Sequence, residues 1–502
     1  MVTLLFTEPT HPMNFDPSCA CSPKYVREHT AQDVIFTRRE FLERTGMGFG
    51  AMSLASILGL SMGGNAQAAA TAGKVLSPLA PKQPHFPAKA KAVIHIFAEG
   101  GPSHVDTWDP KPELAKYADK TLPGLDGLAF PSPFKFNKKG QAGIEVSEVF
   151  PHLGECVDEM AIIRSLWTDI PAHEVAQRFM NTGSLQLPKP SMGSWVVYGL
   201  GTENQNMPGF ITLSGKPEWR QASFLPGVYQ GCNVNYSQTM KLEEVLLNIS
   251  NQFTGMDRQR RQLDLVHQLN TMHAKALQKD AQLEARIEAF EMAFKMQTEA
   301  TDAFDLSKES AETKALYGIG AEAGGGARGG GPSDMGAKLL VARRLVERGV
   351  RFVQIQHGGW DTHGNVETAI PRQAGAIDQP AAGLIKDLKQ RGLLDDTLIV
   401  WGGEFGRTVV RDRNGNATPG RDHNGRAMVT WMAGGGVKGG TVHGATDEFG
   451  ARAAENKVHV HDLHATILAL LGFDHTKLTY RYNGRDFRFT DNFGNVVKDV
   501  IA

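Results

Sequence analysis

The sequence predicts an α/β fold, a three-layer sandwich in which a central, mostly parallel β-sheet lies between layers of helices. Short runs rich in Val and Ile, of strand length, alternate with helical patterns along the chain. Several of these runs stop at a glycine pair or a polar loop that carries His, Asp or Glu. Strands that alternate with helices in this way predict a sheet covered on both faces.

The composition is that of an ordinary globular protein and excludes some classes of partner. The 502 residues include 53 basic and 54 acidic side chains, which gives a net charge of −1. This balance offers no electrostatic attraction to nucleic acid or to an anionic membrane surface, so we expect no nucleic-acid partner. Only Cys156 and Cys232 lie beyond the amino-terminal segment. They permit one disulfide and exclude a metal site built from cysteines.

Residues 1–68 are predicted to be an amino-terminal extension with a twin-arginine signal peptide. The sequence TRREFL at 37–42 is followed by a Gly-, Ala-, Ser- and Leu-rich stretch at 46–64 and by AQA at 66–68. The alternative is a membrane anchor, but the stretch is glycine-rich and barely long enough to span. The pattern predicts export by the twin-arginine machinery to the periplasm or the extracellular space, with no stable membrane span in the mature chain.

Residues 69–90 are rich in Ala, Pro and Lys and predict a linker, so the folded domain is expected at 91–502. We expect strands at 92–97, 160–163, 209–213, 351–356, 397–401 and 427–432. We expect helices at 173–180, 338–348, 381–391 and 462–471.

One segment interrupts the alternation. Residues 241–317 are charged and helical in pattern, and a glycine-rich loop follows at about 321–334. We interpret this segment as a helical insertion with a mobile connection, in the manner of a lid. The glycine-rich loop lacks the Lys-Ser/Thr of a P-loop and does not directly follow a strand, so it does not predict a phosphate site.

The densest group of chemically active side chains follows the strand at 351–356. His357, Asp361 and His363 lie within seven residues on a glycine-rich turn, where they can converge on one cation. Imidazole with carboxylate suits Zn, Mn or Fe, whereas carboxylate with amide and carbonyl oxygens would suit Ca or Mg. The alternative is a polar turn with satisfied histidines, but three such residues together favour metal ligation.

Two further groups follow along the chain. Glu404 comes directly after the strand at 397–401 and is predicted to be a metal ligand or a general base. Arg407 would bind an anionic substrate group in bidentate fashion or, alternatively, form an internal ion pair with Glu404. In the later segment GRDHN, His423 is the preferred metal ligand. Asp422 and, from the earlier group, His357 are expected to contact the substrate.

Two groups from the amino-terminal half are expected to complete the site. His104 and Asp106 follow the first strand at a Gly-Gly-Pro turn and alternate with apolar neighbours, so both would point into the same crevice. We expect His104 to contact the substrate and Asp106 to bind the metal. His173 begins the helix predicted at 173–180. A helix amino terminus stabilises anions, so His173 lies where a phosphate or sulfate group would bind.

Several motifs together resemble one family. They are GGPSHVDTWDPKP, PSMGSWVVYGLG, RFVQIQHGGWDTH, DDTLIVWGGEFGRT, GRDHN, WMAGGGVKGG, HDLHATILALLG and LTYRYNGRDFRFTD. Across residues 90–500 the chain resembles the Domain of Unknown Function 1501 family, exported bacterial proteins placed in the alkaline phosphatase/sulfatase superfamily. The resemblance implies an alkaline phosphatase-like sandwich with metal ligands at the carboxyl edge of its sheet. In the superfamily's order Asp106 (or Glu99) would be the first ligand, Asp361 with His363 the third, Glu404 the fourth and His423 the last.

The chain departs from the superfamily pattern at two places. Glu404-Phe405 stands where Asp-His or Asp-Asn is usual, and His173 stands where sulfatases carry a Cys or Ser nucleophile. His173 would then be a nucleophile, a ligand or a general acid, unless metal-activated water attacks directly.

The resemblance implies an exported hydrolase of phosphate or sulfate esters that uses a divalent metal (Zn, Mn or Ca). Its substrate would be a small-molecule or polysaccharide anionic ester. The alternative is a non-catalytic member that binds an anionic polysaccharide or a surface partner. An oxidoreductase is disfavoured, since no glycine-rich dinucleotide fingerprint follows the first strand.

Overall fold

The computed structural model describes residues 77–186, 189–237, 240, 245, 255–276, 294–295, 300–320, 334–412 and 418–502. The predicted twin-arginine signal, nearly all of the glycine-rich loop and much of the helical insertion lie outside the described residues. Within the described part of the insertion, residues Met256–Ala276 form a helix. None of the described helices combines the length and the apolar character needed to cross a membrane.

A nine-stranded sheet organises the domain. The strands are β1 Ala92–Phe97, β2 Phe136–Lys139, β3 Ile144–Ser147, β4 Met160–Trp167, β5 Phe210–Leu213, β6 Cys232–Val234, β7 Phe352–Gln356, β8 Thr397–Gly402, β9 Gly406–Arg411, β10 Arg421–Asn424, β11 Met428–Ala433, β12 Thr441–His443, β13 Ala445–Thr446, β14 Ala453–Glu455, β15 Val458–His459, β16 Tyr480–Tyr482 and β17 Arg485–Phe487. The order in the sheet is β12-β4-β11-β8-β1-β7-β5-β6, with β15 also pairing with β4. Only β11 runs antiparallel to its neighbours among the described strands of this sheet.

Helices cover both faces of the sheet. They are α1 His104–Thr107, α2 Pro112–Ala115, α3 His173–Thr182, α4 Met192–Leu200, α5 Met256–Ala276, α6 Ala311–Leu316, α7 Met335–Glu347, α8 Val366–Gln390 and α9 Val460–Leu470. In β1, Ile94 and Ile96 join the apolar cluster under α7 and α8, whereas Val93 and Phe97 join the cluster under α4 and α9. This period-two alternation places alternate residues of the strand against each of the two helical layers. The predicted three-layer sandwich is therefore confirmed.

Two elements differ from the prediction. The helix expected to begin at residue 381 begins at Val366 and includes Pro371 and Pro380. Each proline removes a backbone donor, but burial of this helix against α7 and the sheet maintains it through both positions. The segment after β8 also forms an antiparallel hairpin of β9 and β10, between the strands predicted at 397–401 and 427–432, where no strand was predicted.

Residues 77–90, part of the predicted linker, lie against the domain. The backbone N–H of Lys82 donates to the carbonyl of Leu200, and that of His85 donates to the carbonyl of Gly472, each at 2.8–2.9 Å. Cys156 and Cys232 are both free, so the structure contains no disulfide between them.

Buried histidines should make the fold sensitive to acid. Burial lowers the pKa of His95 in β1 to about 4, and it lowers the pKa of His464 in α9 well below its usual value. The unfolded chain takes up these protons near pH 6.5, whereas folded His95 resists protonation down to about pH 4 and folded His464 resists it well below the usual range. The stability that these neutral histidines contribute is therefore fully present above pH 6.5 and is lost as the pH falls. Each such histidine removes about 1.4 kcal/mol per pH unit in this window.

A His95→Gln variant tests this linkage. The free energy of unfolding of the wild type, measured in urea at pH 7 and pH 5, should fall by about 2 kcal/mol more than that of the variant. An equal pH dependence in both proteins would show that His95 does not titrate with unfolding.

Candidate metal centre

Polar side chains meet at one edge of the sheet, beyond the carboxyl ends of β1, β4, β7 and β8. The loop after β7 contributes Asp361 and His363, and α3 contributes His173 at its first residue. His423 comes from β10 of the hairpin rather than from a strand of the main sheet. Three chain segments far apart in sequence therefore bring their side chains to one crevice, as open α/β sheets do at their ligand sites.

Three imidazoles and one carboxylate converge to form the centre of this crevice. Asp361 Oδ1 lies 3.0 Å from His363 Nε2, 3.2 Å from His173 Nε2 and 3.3 Å from His423 Nε2. The Nε2 atoms of His363 and His423 are 3.0 Å apart, and all four ligand atoms lie within 4.8 Å of one another. Neighbouring ligands of a four-coordinate zinc, with bonds of about 2.0 Å, are roughly 3.3 Å apart.

Each imidazole is held through its other ring nitrogen. His173 Nδ1 lies 2.7 Å from Glu404 Oε1, and His363 Nδ1 lies 2.5 Å from Asp412 Oδ2. His423 Nδ1 donates to the carbonyl of Pro171 at 2.9 Å. Because each acceptor retains a proton on Nδ1, the lone pair of Nε2 is left to point into the cluster. Two such lone pairs 3.0 Å apart require a proton or a cation between them.

The charges around His173 are unusual. Asp361 and Glu404 together raise the pKa of His173 to about 9, although partial burial opposes this. Burial would raise the pKa of Asp361, but the neighbouring imidazoles of His173 and His423 and the guanidinium of Arg407 outweigh burial and lower that pKa. His173 Nε2 is a buried atom with no hydrogen-bond partner among the described residues, since its approach to Asp361 is not aligned for one. This orphaned nitrogen fits a metal ligand.

A buried arginine and a glycine fix the loops around the cluster. Arg407 donates from Nε to the carbonyl of Gly101 at 2.9 Å, and from Nη2 to Asp361 Oδ1 and to the carbonyl of Gly100. Gly100 has φ of +111°, and a Cβ there would lie 2.5 Å from the backbone nitrogen of Asp361. Only glycine allows this approach.

Glu404 and Arg407 were predicted to take part directly in the chemistry, but they hold neighbouring residues in place instead. Glu404 is fully buried, and both its oxygens accept the backbone N–H of Gly100 at 3.0 and 3.1 Å while Oε1 also accepts from Gln177. Glu404 therefore orients His173 and is not one of the proposed metal ligands. Arg407 is also fully buried, with its donors engaged by backbone carbonyls and Asp361, so it does not bind substrate.

Asp106 and His104 lie in the interior beside the crevice and not in it. Asp106 forms a fully buried pair with Arg421, with Arg421 Nε at 2.6 Å and Nη2 at 3.0 Å from its two oxygens. Ser103 Oγ donates to the same carboxylate at 2.6 Å. His104 is fully buried and its Nε2 lies 2.7 Å from the carbonyl of Gly450. The expectations of a metal ligand at Asp106 and a substrate contact at His104 are corrected accordingly.

The two remaining predicted substrate contacts differ. His357 is buried, its Nδ1 accepts from Trp360 Nε1 at 3.2 Å, and burial lowers its pKa to about 3. It therefore packs in the core and does not contact substrate. Asp422 remains beside the centre, because one of its oxygens lies within 4.8 Å of His363 and Asp412.

The sequence analysis missed the residues that orient the ligands. Asp412 directly follows β9, whose apolar residues Val409 and Val410 could have marked a strand and the Asp at its end as a candidate. Gln177 lies one turn after His173 on α3, and this i, i+4 spacing was its only signal. The carbonyl of Pro171 left no signal in the sequence.

Replacing Asp412 by Asn should weaken metal binding about 10- to 100-fold, because a neutral amide no longer increases the basicity of His363. Competition with a chromogenic chelator measures the change. Asp158→Asn is the matched control, since Asp158 accepts two backbone N–H groups outside the crevice and should leave the affinity unchanged. Equal affinity in Asp412→Asn and the control would contradict this orienting role.

The chain is similar to several solved structures. The PsFucS1 sulfatase from Pseudoalteromonas sp. is 13% identical, with 77% of this chain and 68% of that chain covered and a TM-score of 0.33. The carboxyl-terminal periplasmic domain of EcEptC from Escherichia coli, in a complex with Zn, is 11% identical, with 84% and 99% covered and a TM-score of 0.30. TAB5 alkaline phosphatase is 12% identical, with 70% and 92% covered and a TM-score of 0.27.

No curated protein sequence matches the chain. A family model, described as a protein of unknown function (DUF1501), matches residues 90–501, which includes every residue of the crevice. The chain belongs to the DUF1501 family.

Proposed function

We propose that the protein is a metal-dependent hydrolase of phosphate or sulfate esters, with the cation held by His173, Asp361, His363 and His423. The observation that carries this proposal is the convergence of three Nε2 atoms on one carboxylate oxygen at 3.0–3.3 Å. A chance group of surface histidines would not also have every Nδ1 fixed by an acceptor. That arrangement supports metal binding because it aims three lone pairs at one point.

The donor set favours zinc or manganese over calcium. Three imidazoles and one carboxylate match the nitrogen-rich sites of zinc and related transition metals, whereas Ca²⁺ prefers six to eight oxygen ligands. Of the three metals that the sequence suggests, calcium therefore fits this site least well.

In the reaction, the chain's residues would orient groups and attract the anionic ester. A bound cation would supply Lewis acidity to an ester oxygen and to water. Glu404 and Asp412 keep the protons of His173 and His363 on Nδ1, so the Nε2 atoms face the crevice. The amino terminus of α3 lies beside the cluster and has no side-chain cap, so the N–H groups of its first turn favour a phosphate or sulfate there.

The described contacts of the cluster include no hydroxyl or thiol nucleophile. Among the described residues, the hydrogen bonds to the four proposed ligands come from carboxylates, imidazoles, an arginine and a carbonyl. We therefore propose direct attack by water, without a covalent intermediate. The same observation favours the second candidate, a non-catalytic member that binds an anionic polysaccharide.

A reconstitution assay separates these two candidates. Protein stripped with EDTA and then loaded with Zn²⁺ or Mn²⁺ is tested on p-nitrophenyl phosphate, bis(p-nitrophenyl) phosphate and p-nitrophenyl sulfate. We expect turnover of at least one ester by the loaded protein, its loss after stripping, and no burst of p-nitrophenol. Loaded protein that is inert toward all three esters would favour the non-catalytic candidate, and a burst would indicate a covalent intermediate.

We also propose export through the twin-arginine pathway, on the sequence motif at residues 37–42 alone. Replacing Arg38 and Arg39 by Lys together should retain the protein in the cytoplasmic fraction. Unchanged fractionation would refute export by this route.

A further inference from the structure

A second cleft lies beside the metal centre, along the flank of α3. It has a volume of 860 Å³, within the range of pockets that bind small molecules and sugars. Its walls include Trp167, Phe179, His461 and Phe493, with Lys189 and Arg485 among the polar residues. None of these residues is part of the metal centre.

The walls present aromatic surfaces that remain partly open. Phe493 is 62% exposed, and its ring stacks on that of His461 with centroids 5.3 Å apart and an angle of 18°. Trp167 is partly exposed and packs against His459 at 4.6 Å. The cleft therefore offers more than one aromatic ring on which a ligand could lie.

Planar polar side chains surround these rings. Gln186, Asn492 and Asn495 line the same cleft. A sugar ring has one apolar face and a rim of hydroxyl groups, so it suits a site that combines flat aromatic faces with amide donors and acceptors. This composition favours a sugar over an apolar ligand.

Among the described residues, the charged side chains of the cleft are paired or hydrogen-bonded except for one lysine. Asp462 accepts the backbone N–H groups of His459 and Asn495. Asp491 pairs with Arg485 at 2.5 Å, and Asp169 pairs with His459 at 2.9 Å. Lys189 lies 4.1 Å from the centroid of the Phe487 ring and forms no ion pair with a carboxylate of the described residues. An ammonium without a partner carboxylate can bind an anionic substituent.

One short chain segment joins a wall of the cleft to the metal centre. Asp169 lines it, and two residues later the carbonyl of Pro171 accepts the proton of His423 at 2.9 Å. Two residues span at most about 7 Å of extended chain. Asp169, Pro171 and Ala172 are exposed.

We propose that this cleft binds a sugar unit of an anionic glycan, with its ring against Phe493 and Trp167 and a sulfate or phosphate substituent at Lys189. This inference rests on the proposed function, because it identifies the substrate of the metal centre as an ester carried on a glycan. The metal centre would then act on a neighbouring unit of the chain.

Binding to soluble glycans tests the proposal without the metal. EDTA-treated full-length protein is titrated with dextran sulfate, chondroitin sulfate and heparin, with unsulfated dextran and inorganic polyphosphate as comparisons. We expect binding of at least one sulfated glycan, and weaker binding of dextran and polyphosphate. Phe493→Ala and Lys189→Gln should each weaken glycan binding about tenfold. Phe86→Ala, which removes a 41% exposed phenyl ring outside the cleft, is the matched control and should have no effect.

The outcomes separate this proposal from the function proposed for the metal centre. No binding to any sulfated glycan, or equal affinities in Phe493→Ala and the wild type, would overturn the glycan cleft even if the protein binds metal. Loss in Lys189→Gln alone, with equally tight polyphosphate binding, would also overturn it by indicating a site for polyanions of any kind. Binding that depends on Phe493 in a protein without a metal site would leave the cleft in place and remove the hydrolase. Melting temperatures of the variants check that each one folds.

Discussion

His363→Ala should remove the bound metal and with it any esterase activity. The substitution deletes one of four proposed ligands, and it leaves Asp412 without the imidazole that it holds at 2.5 Å. Loss of an orienting partner alone typically weakens a metal site 10- to 100-fold, so loss of the ligand should exceed about 100-fold. Metal content after desalting and the Kd from chelator competition measure the effect.

The matched control for this prediction is His152→Ala. His152 is an exposed histidine outside the crevice. Its replacement should leave the metal content, the affinity and the melting temperature unchanged. A His363→Ala protein with metal content equal to that of the control would show that the cluster of imidazoles does not bind the ion.

Of the single substitutions proposed here, Asp106→Asn should reduce the free energy of unfolding the most. It should not reduce the metal content. The amide leaves the guanidinium of Arg421 fully buried and without its partner charge. Removing one partner of a buried pair costs roughly 3–5 kcal/mol, because the remaining charge is uncompensated. Urea denaturation measures the change in the free energy of unfolding, and metal analysis of the folded fraction measures the content.

A double variant identifies the cause of that loss. Asp106→Leu with Arg421→Met removes both charges and should be more stable than Asp106→Asn alone, since the desolvation cost of the charges disappears with them. Asp106→Asn with full stability and no metal would instead indicate that Asp106 is a ligand.

The sequence predicted which residues meet at the edge of the sheet better than it predicted the contacts of each residue. Runs of Val and Ile marked β1, β7 and β8, and polar residues directly after them indicated the edge of the sheet where Asp361 and His363 lie. These features are local, so a single sequence reveals them. The position of His173 at a helix start is local in the same way.

Roles that depend on distant partners could not be predicted. Asp106 follows β1 as a ligand would, but Arg421, 315 residues later, neutralises it. Glu404 and Arg407 also follow a strand, yet both are fully buried, and burial is set by packing rather than by position in the chain. Asp412 was missed because its significance comes from His363, 49 residues earlier.

Anomalous diffraction from crystals soaked in Zn²⁺, recorded on both sides of the zinc absorption edge, tests the central claim most directly. The proposed centre predicts one strong peak within bonding distance, about 2.0–2.2 Å, of Nε2 of His173, His363 and His423 and of a carboxylate oxygen of Asp361. No peak at this position in fully soaked crystals, or a peak held by other residues, would contradict it.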